Sequence, residues 1–108
     1  MKQTLTALIS QGKTLVSDGA WGTFLQAKGL QPGECPELWN IDHSEAVFDI
    51  AQGYIAAGAD TIETNSFGGN RFKLDGFGLE NRVYEINRKA AEISRQAAGS
   101  DKYVLGSI

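Results

Sequence analysis

Carboxylates, amides and small residues placed at the ends of short apolar runs are what this 108-residue sequence offers for chemistry. Asp18 follows the run KTLVS and opens the segment Asp18-Gly19-Ala20-Trp21-Gly22-Thr23. An acid at the end of a buried strand is costly unless a cation meets it. Two roles suit it: a partner for a substrate ammonium group, or a cap for the turn over residues 19–23. Gly19, Ala20 and Gly22 let the backbone approach a ligand and aim N–H groups at an anion, although a tight turn needs the same residues. Glu63 and Asn65 alternate with Ile62 and Thr64, so they share one face of a strand. Asn65, nearer the strand end, is the better site candidate. Glu63, lying deeper, equally suits a structural hydrogen-bond network.

The remaining reactive types are sparse. Cys35 has no evident partner and reads as a partly buried free thiol in a loop. His43, the single histidine, reads as a surface residue in the first turn of a helix. One cysteine and one histidine cannot form a Cys/His-rich zinc site. One cysteine cannot close an internal disulfide, which suits a reducing cytoplasm. Trp21 and Trp39 either line a pocket or pack under loops. Gly68-Gly69-Asn70 before a helix is a weak anion-binding signal.

These residues are positioned by a regular alternation of elements. Residues 4–11 predict a short amphipathic helix closed by Gly12, and residues 13–17 a strand. One or two helical turns follow over residues 24–28, then a long structured loop over residues 30–40 that holds both prolines. Asp42 and Glu45 have the spacing of a capping box. Behind it Val47, Ile50, Ala51, Tyr54, Ile55 and Gly58 fall on one helical face. Residues 61–67, β-branched and alternating, predict a second strand stopped by Gly68-Gly69. A short helix over residues 70–74, a long one over 79–98 and a third strand over 103–108 complete the order. The long helix carries Leu79, Val83, Ile86, Ala90, Ile93 and Ala97 on one stripe and a solvated charged face opposite.

Strands alternating with long helices imply parallel pairing and right-handed crossovers, in an open doubly wound sheet or a (β/α)8 barrel. The segment DGAWGT lacks the G-x-G-x-x-G pattern of the open sheet's phosphate loop. Polar residues at several strand ends (Asp18, Asn65, Ser66 and Ser107) favour the barrel. A whole barrel needs about 250 residues, so the fold expected is the N-terminal portion of one, about three β/α units, with residues 1–108 as an incomplete domain. A net charge of −3 and a pI near 5.0 argue against nucleic-acid binding. The apolar runs are too short for a transmembrane helix, and the N-terminus lacks the features of a secretory signal.

Taken in order, DGAWGTFLQ, GECPELWN, YIAAGADTIETNSFGGNRFKL, GLENRVYEINRKAA and VLGSI resemble the homocysteine S-methyltransferase family over essentially the whole chain from Lys13. The likeness is greatest to the homocysteine-binding domain of the cobalamin-dependent methionine synthases. Betaine- and S-methylmethionine-using members are the close alternatives. The resemblance implies a (β/α)8 barrel that binds homocysteine at the C-terminal ends of its strands and methylates its thiolate to give methionine. It implies that Asp18 receives the substrate amino group and that the N–H groups of Gly19 and Ala20 meet its carboxylate. Asn65, in the matching T-N-x-F strand end, is given a pocket role. No catalytic residue is expected in this segment. The family's zinc is held by three cysteine thiolates that match nothing here and are expected beyond Ile108, and Cys35 matches a loop position. Zinc and a cobalamin methyl carrier are therefore cofactors expected of a longer protein. Homocysteine, the remaining barrel strands and a corrinoid domain or protein are its expected partners. Alone, this segment is expected to be inactive. The alternative from another class is a non-catalytic partial-barrel module that docks on a partner.

Overall fold

Thr4 starts the first helix because its backbone is extended and its hydroxyl accepts the N–H of Ala7 at 3.1 Å. The computed structural model describes residues 2–108. Helix α1 (Leu5–Ser10) ends before Gly12, whose φ of 77° is left-handed. The strand expected over residues 13–17 is reduced to one isolated parallel bridge, Ser17 to Thr61. The cause is local. Val16 gives its N–H to the Asp60 carboxylate at 2.9 Å, so the ladder cannot extend toward the N-terminus. The Val16 carbonyl still accepts from the N–H of Asp60, and Asp18 donates to the Thr61 carbonyl at 3.0 Å.

Helix α2 (Gly22–Ala27) follows. The loop expected over residues 30–40 is partly helical: a 3-10 turn at Pro36–Leu38 runs into α3 (Trp39–Asp42). Pro36 takes the first position of its turn, where a missing N–H costs nothing. The Asp42–Glu45 capping box does not form. Asp42 is already the last residue of α3, and His43 precedes α4 (Ser44–Ala56) without a side-chain cap. Helix α4 buries Val47, Ile50 and Ala51 as its spacing predicts, while Gly58 lies past its end with φ 106°.

Strand β1 (Thr61–Glu63) pairs in parallel with β2 (Tyr103–Leu105), with Ile62 opposite Val104. Both are shorter than the sequence predicts, because hydroxyl groups replace the ladder beyond them. Thr64 Oγ1 accepts the N–H of Ser107 at 3.0 Å, and Ser66 Oγ donates to the Ser107 carbonyl at 2.8 Å. Between the strands, Asn70 caps α5 (Arg71–Asp75) by accepting the N–H of Lys73. The long helix predicted from residue 79 starts later, as a 3-10 turn at Glu80–Arg82 and then α6 (Val83–Ala98). Leu79 is taken up in closing α5, donating its N–H to the Leu74 carbonyl.

Ser17, β1 and β2 stand side by side in chain order. The crossover helices α4 and α6 pack on each other and on β1. Ile62, with no exposed surface, fills the seam against Ala51, Ala59, Ala97 and Ala98. Small residues on both helices let them approach the strand closely. A second cluster holds Leu25, Leu30 and Trp39 against Val47, Ile50 and Ile93. Buried Ser94 ties α6 to the sheet by donating to the Glu63 carbonyl at 2.8 Å. The result is an α/β fold of successive strand–helix units that presents the chain segments after Ser17, Glu63 and Leu105 at one end.

Candidate functional site

Asp18 stands at that end, half-buried, directly after the Ser17 bridge. Its Oδ2 accepts from the Trp21 indole N–H at 2.7 Å and from the Glu63 N–H at 2.9 Å. Its Oδ1 accepts from the Ser17 hydroxyl at 3.0 Å. Among the described residues no cation lies within salt-bridge distance of it. It accepts no backbone N–H of residues 19–23; within the turn it takes the Trp21 indole, and through the Glu63 N–H it joins the turn to β1. The charge is met by neutral donors only, and spare lone pairs on Oδ1 can accept an ammonium group.

Among the described residues the Ala20 N–H donates to no backbone carbonyl or side chain, while the Gly19 N–H faces the Tyr54 hydroxyl. The turn is held from behind. Tyr54, on α4, donates its hydroxyl to the Ala20 carbonyl at 2.5 Å. The same hydroxyl lies 3.2 Å from where a Cβ on Gly19 would sit. Burial and the Asp18 charge both raise the Tyr54 phenol above its ordinary value, so it remains a donor. Trp21 packs its half-buried ring against the core and uses its indole N–H on Asp18.

Asn65 is buried, and both of its amide hydrogens are engaged. They reach the Pro36 carbonyl and the Asn40 side-chain oxygen, each at 3.0 Å. Asn40 answers by donating to the Asn65 carbonyl at 2.9 Å and, at 3.3 Å, to that of Ile86. This lattice fastens the segment from Pro36 to Asn40 across the end of β1. Glu37 adds to it: its buried carboxylate accepts the Gly68 N–H at 3.2 Å and the Cys35 thiol at 3.6 Å. The Gly68 and Gly69 N–H groups are thus already used, Gly69 on the Ser66 carbonyl. Cys35 is a buried free thiol whose pKa is pushed up, chiefly by burial. His43 is exposed and stacks on Trp39 with ring centres 4.3 Å apart. Trp39 itself is buried in the core.

Sequence reasoning singled out Asp18, Gly19, Ala20 and Asn65, and the structure brings all four to the same end of the sheet. Tyr54, Glu37 and Asn40 were missed. Tyr54 sits on an apolar helical stripe and reads as core. Asn40 and Glu37 lie in a stretch without periodicity, so only their burial marks them. Among the described residues no group of three His, Cys, Asp or Glu side chains could hold a metal ion, so these residues do not fit the zinc site that the resemblance implies. Among the described residues no helix is long and apolar enough to cross a membrane.

The family model described as homocysteine S-methyltransferase matches residues 15–108. The chain belongs to the homocysteine S-methyltransferase family. Methionine synthase from Mycobacterium tuberculosis is 35% identical over 96% of this chain and 10% of its own length. Methionine synthase from Mycobacterium leprae is 31% identical over 89% of this chain and 9% of its own length. The homocysteine methyltransferase MmuM from Escherichia coli, solved in a metallated form, superposes with a TM-score of 0.79 at 26% identity. That match covers 96% of this chain and 40% of the solved one. This family member therefore spans about a tenth of the curated relatives and two fifths of the solved structure.

Proposed function

We propose that this chain is the substrate-binding part of a homocysteine S-methyltransferase and forms the first β/α units of a (β/α)8 barrel. In this reading Asp18 receives the homocysteine ammonium group, and the Gly19 and Ala20 N–H groups receive its carboxylate. Asn65 shapes the pocket wall through its hold on residues 36–40. The observation that carries the reading is the Asp18 turn within a matched family segment: an acid without a cationic partner among the described residues, beside an Ala20 N–H without an acceptor. An α-amino acid presents the complementary pair of charges, and charge-assisted hydrogen bonds to both ends fix its orientation.

Held at both ends, the substrate has only its sulfur free to react. A free thiol has a pKa near 8.5, so an activated thiolate is needed for methyl transfer at neutral pH. Nothing in this chain supplies that activation, and zinc belongs to the proposal only through thiolates contributed by a longer protein. Methylcobalamin is the donor favoured by the likeness to methionine synthases.

The test compares this 108-residue chain with the reading frame continued past Ile108. Each is assayed for bound zinc and for homocysteine-dependent methyl transfer from methylcobalamin, betaine and S-methylmethionine. Zinc and turnover in the longer protein alone are expected, with methylcobalamin preferred. Turnover by the short chain would overturn the split-site reading. A natural stop after Ile108 would favour the docking module instead.

A further inference from the structure

We infer that Tyr54 is a positioning residue for the substrate-binding turn, holding the Gly19–Ala20 backbone in the conformation that leaves the Ala20 N–H open to a carboxylate. The inference rests on the proposed role of that turn and deepens it. Tyr54 lies 34 residues away in sequence, on α4, and reaches the turn through one atom. That atom makes two close approaches at once. It donates to the Ala20 carbonyl at 2.5 Å, and it lies 3.2 Å from the Cβ position of Gly19. The Ala20–Trp21 peptide plane is thereby held by its oxygen, which pins the C-terminal side of Ala20 while its own N–H lies in the preceding peptide.

The ring is itself constrained, which makes the hydroxyl a fixed anchor. Phe24 meets it edge-on, with centroids 5.7 Å apart and planes at 87°. Tyr54 also packs against both the Val47–Ile50 cluster and the Ala51–Ile62 cluster. On the opposite side of the turn, Trp21 is tied to Asp18. The turn is thus clamped between α4 and its own indole, with the Ala20 N–H left over.

The contact also gives Gly19 a reason that does not involve φ. Its φ is not left-handed, so an alanine there is conformationally allowed. What a methyl group meets is the Tyr54 hydroxyl, which cannot retreat without releasing Ala20. Gly19 and Tyr54 should therefore behave as a coupled pair.

The test uses the full reading frame containing this chain and four variants: Y54F, G19A, the double variant G19A/Y54F, and D18N. The readouts are KM for homocysteine, kcat and the thermal midpoint. Y54F keeps the ring and removes only the hydroxyl. It is expected to raise KM about three- to tenfold with kcat nearly unchanged, the size of one lost hydrogen bond. G19A is expected to raise KM and lower the midpoint in the parent protein, and to do both less in the Y54F background. If D18N raises KM while Y54F leaves it unchanged, the turn binds substrate and the positioning inference is wrong. If D18N leaves KM unchanged, the reading of the turn itself fails. The midpoints of the parent, Y54F, G19A and the double variant then still decide whether Gly19 and Tyr54 are coupled. Equal G19A costs in both backgrounds would sink the clamp.

Discussion

At Asp18, three neutral donors and, among the described residues, no cation surround one carboxylate. An asparagine can keep the same pattern, with its oxygen facing Trp21 and Glu63 and its amide donating to Ser17. In the longer protein D18N is therefore expected to fold normally while KM for homocysteine rises about ten- to a hundredfold, as a charge-assisted contact becomes a neutral one. Steady-state kinetics beside a melting curve would check it. Cys35 behaves in the opposite way, because burial beside Glu37 disfavours its thiolate. Its folded pKa lies above the unfolded value, so the unfolded chain loses the proton first. The stability it contributes is complete below about pH 8.5 and falls as pH rises through the folded pKa. Thiol titration of the native chain should accordingly be slow until the protein unfolds. Rapid native labelling near pH 8 would contradict the buried position.

Individual elements here are short, and side chains that bridge between them do much of the fastening. Asn40 connects α3 to the end of β1 and to α6, with no surface exposed. Removing its amide leaves the Asn65 side chain and two buried carbonyls short of partners. N40A is expected to cost roughly 2–3 kcal/mol, visible as a lower midpoint in urea with an unchanged slope. Little of this is legible from sequence, because a loop-like stretch with two prolines carries no periodic signal. Helices α4 and α6 were legible for the opposite reason: their apolar stripes repeat over several turns and bury where that spacing predicts. The capping box failed because α3 extends to Asp42, which only the packing of Trp39 and Asn40 reveals.

Across the whole molecule, Ser17, β1 and β2 make a sheet whose outer strand pairs on one side only among the described residues. Val16 is 57% exposed and Leu105 38% exposed, although Val16 adjoins the Ser17 bridge and Leu105 is the last paired residue of β2. Unpaired edges and exposed apolar side chains promote association between chains. At rising concentration this chain is expected to self-associate in sedimentation velocity runs. On the proposed partial-barrel reading, a chain extended past Ile108 by a further strand should remain one species. Concentration-independent sedimentation of the short chain would show that its edges are satisfied without further strands.

The sequence by itself determined the alternation of long helices with β1 and β2, the family and the place of Asp18 after the apolar run that ends at Ser17. Each of these is carried by local periodicity or by a contiguous motif. The tertiary structure decided what the side chains at that end do. Asp18 joins the turn to β1, Asn65 spends its amide on residues 36–40, and Tyr54 reaches back from α4 to hold Ala20. Those contacts span between 25 and 45 positions of sequence, and no short-range pattern encodes a hydrogen bond that only the packed helices bring within reach.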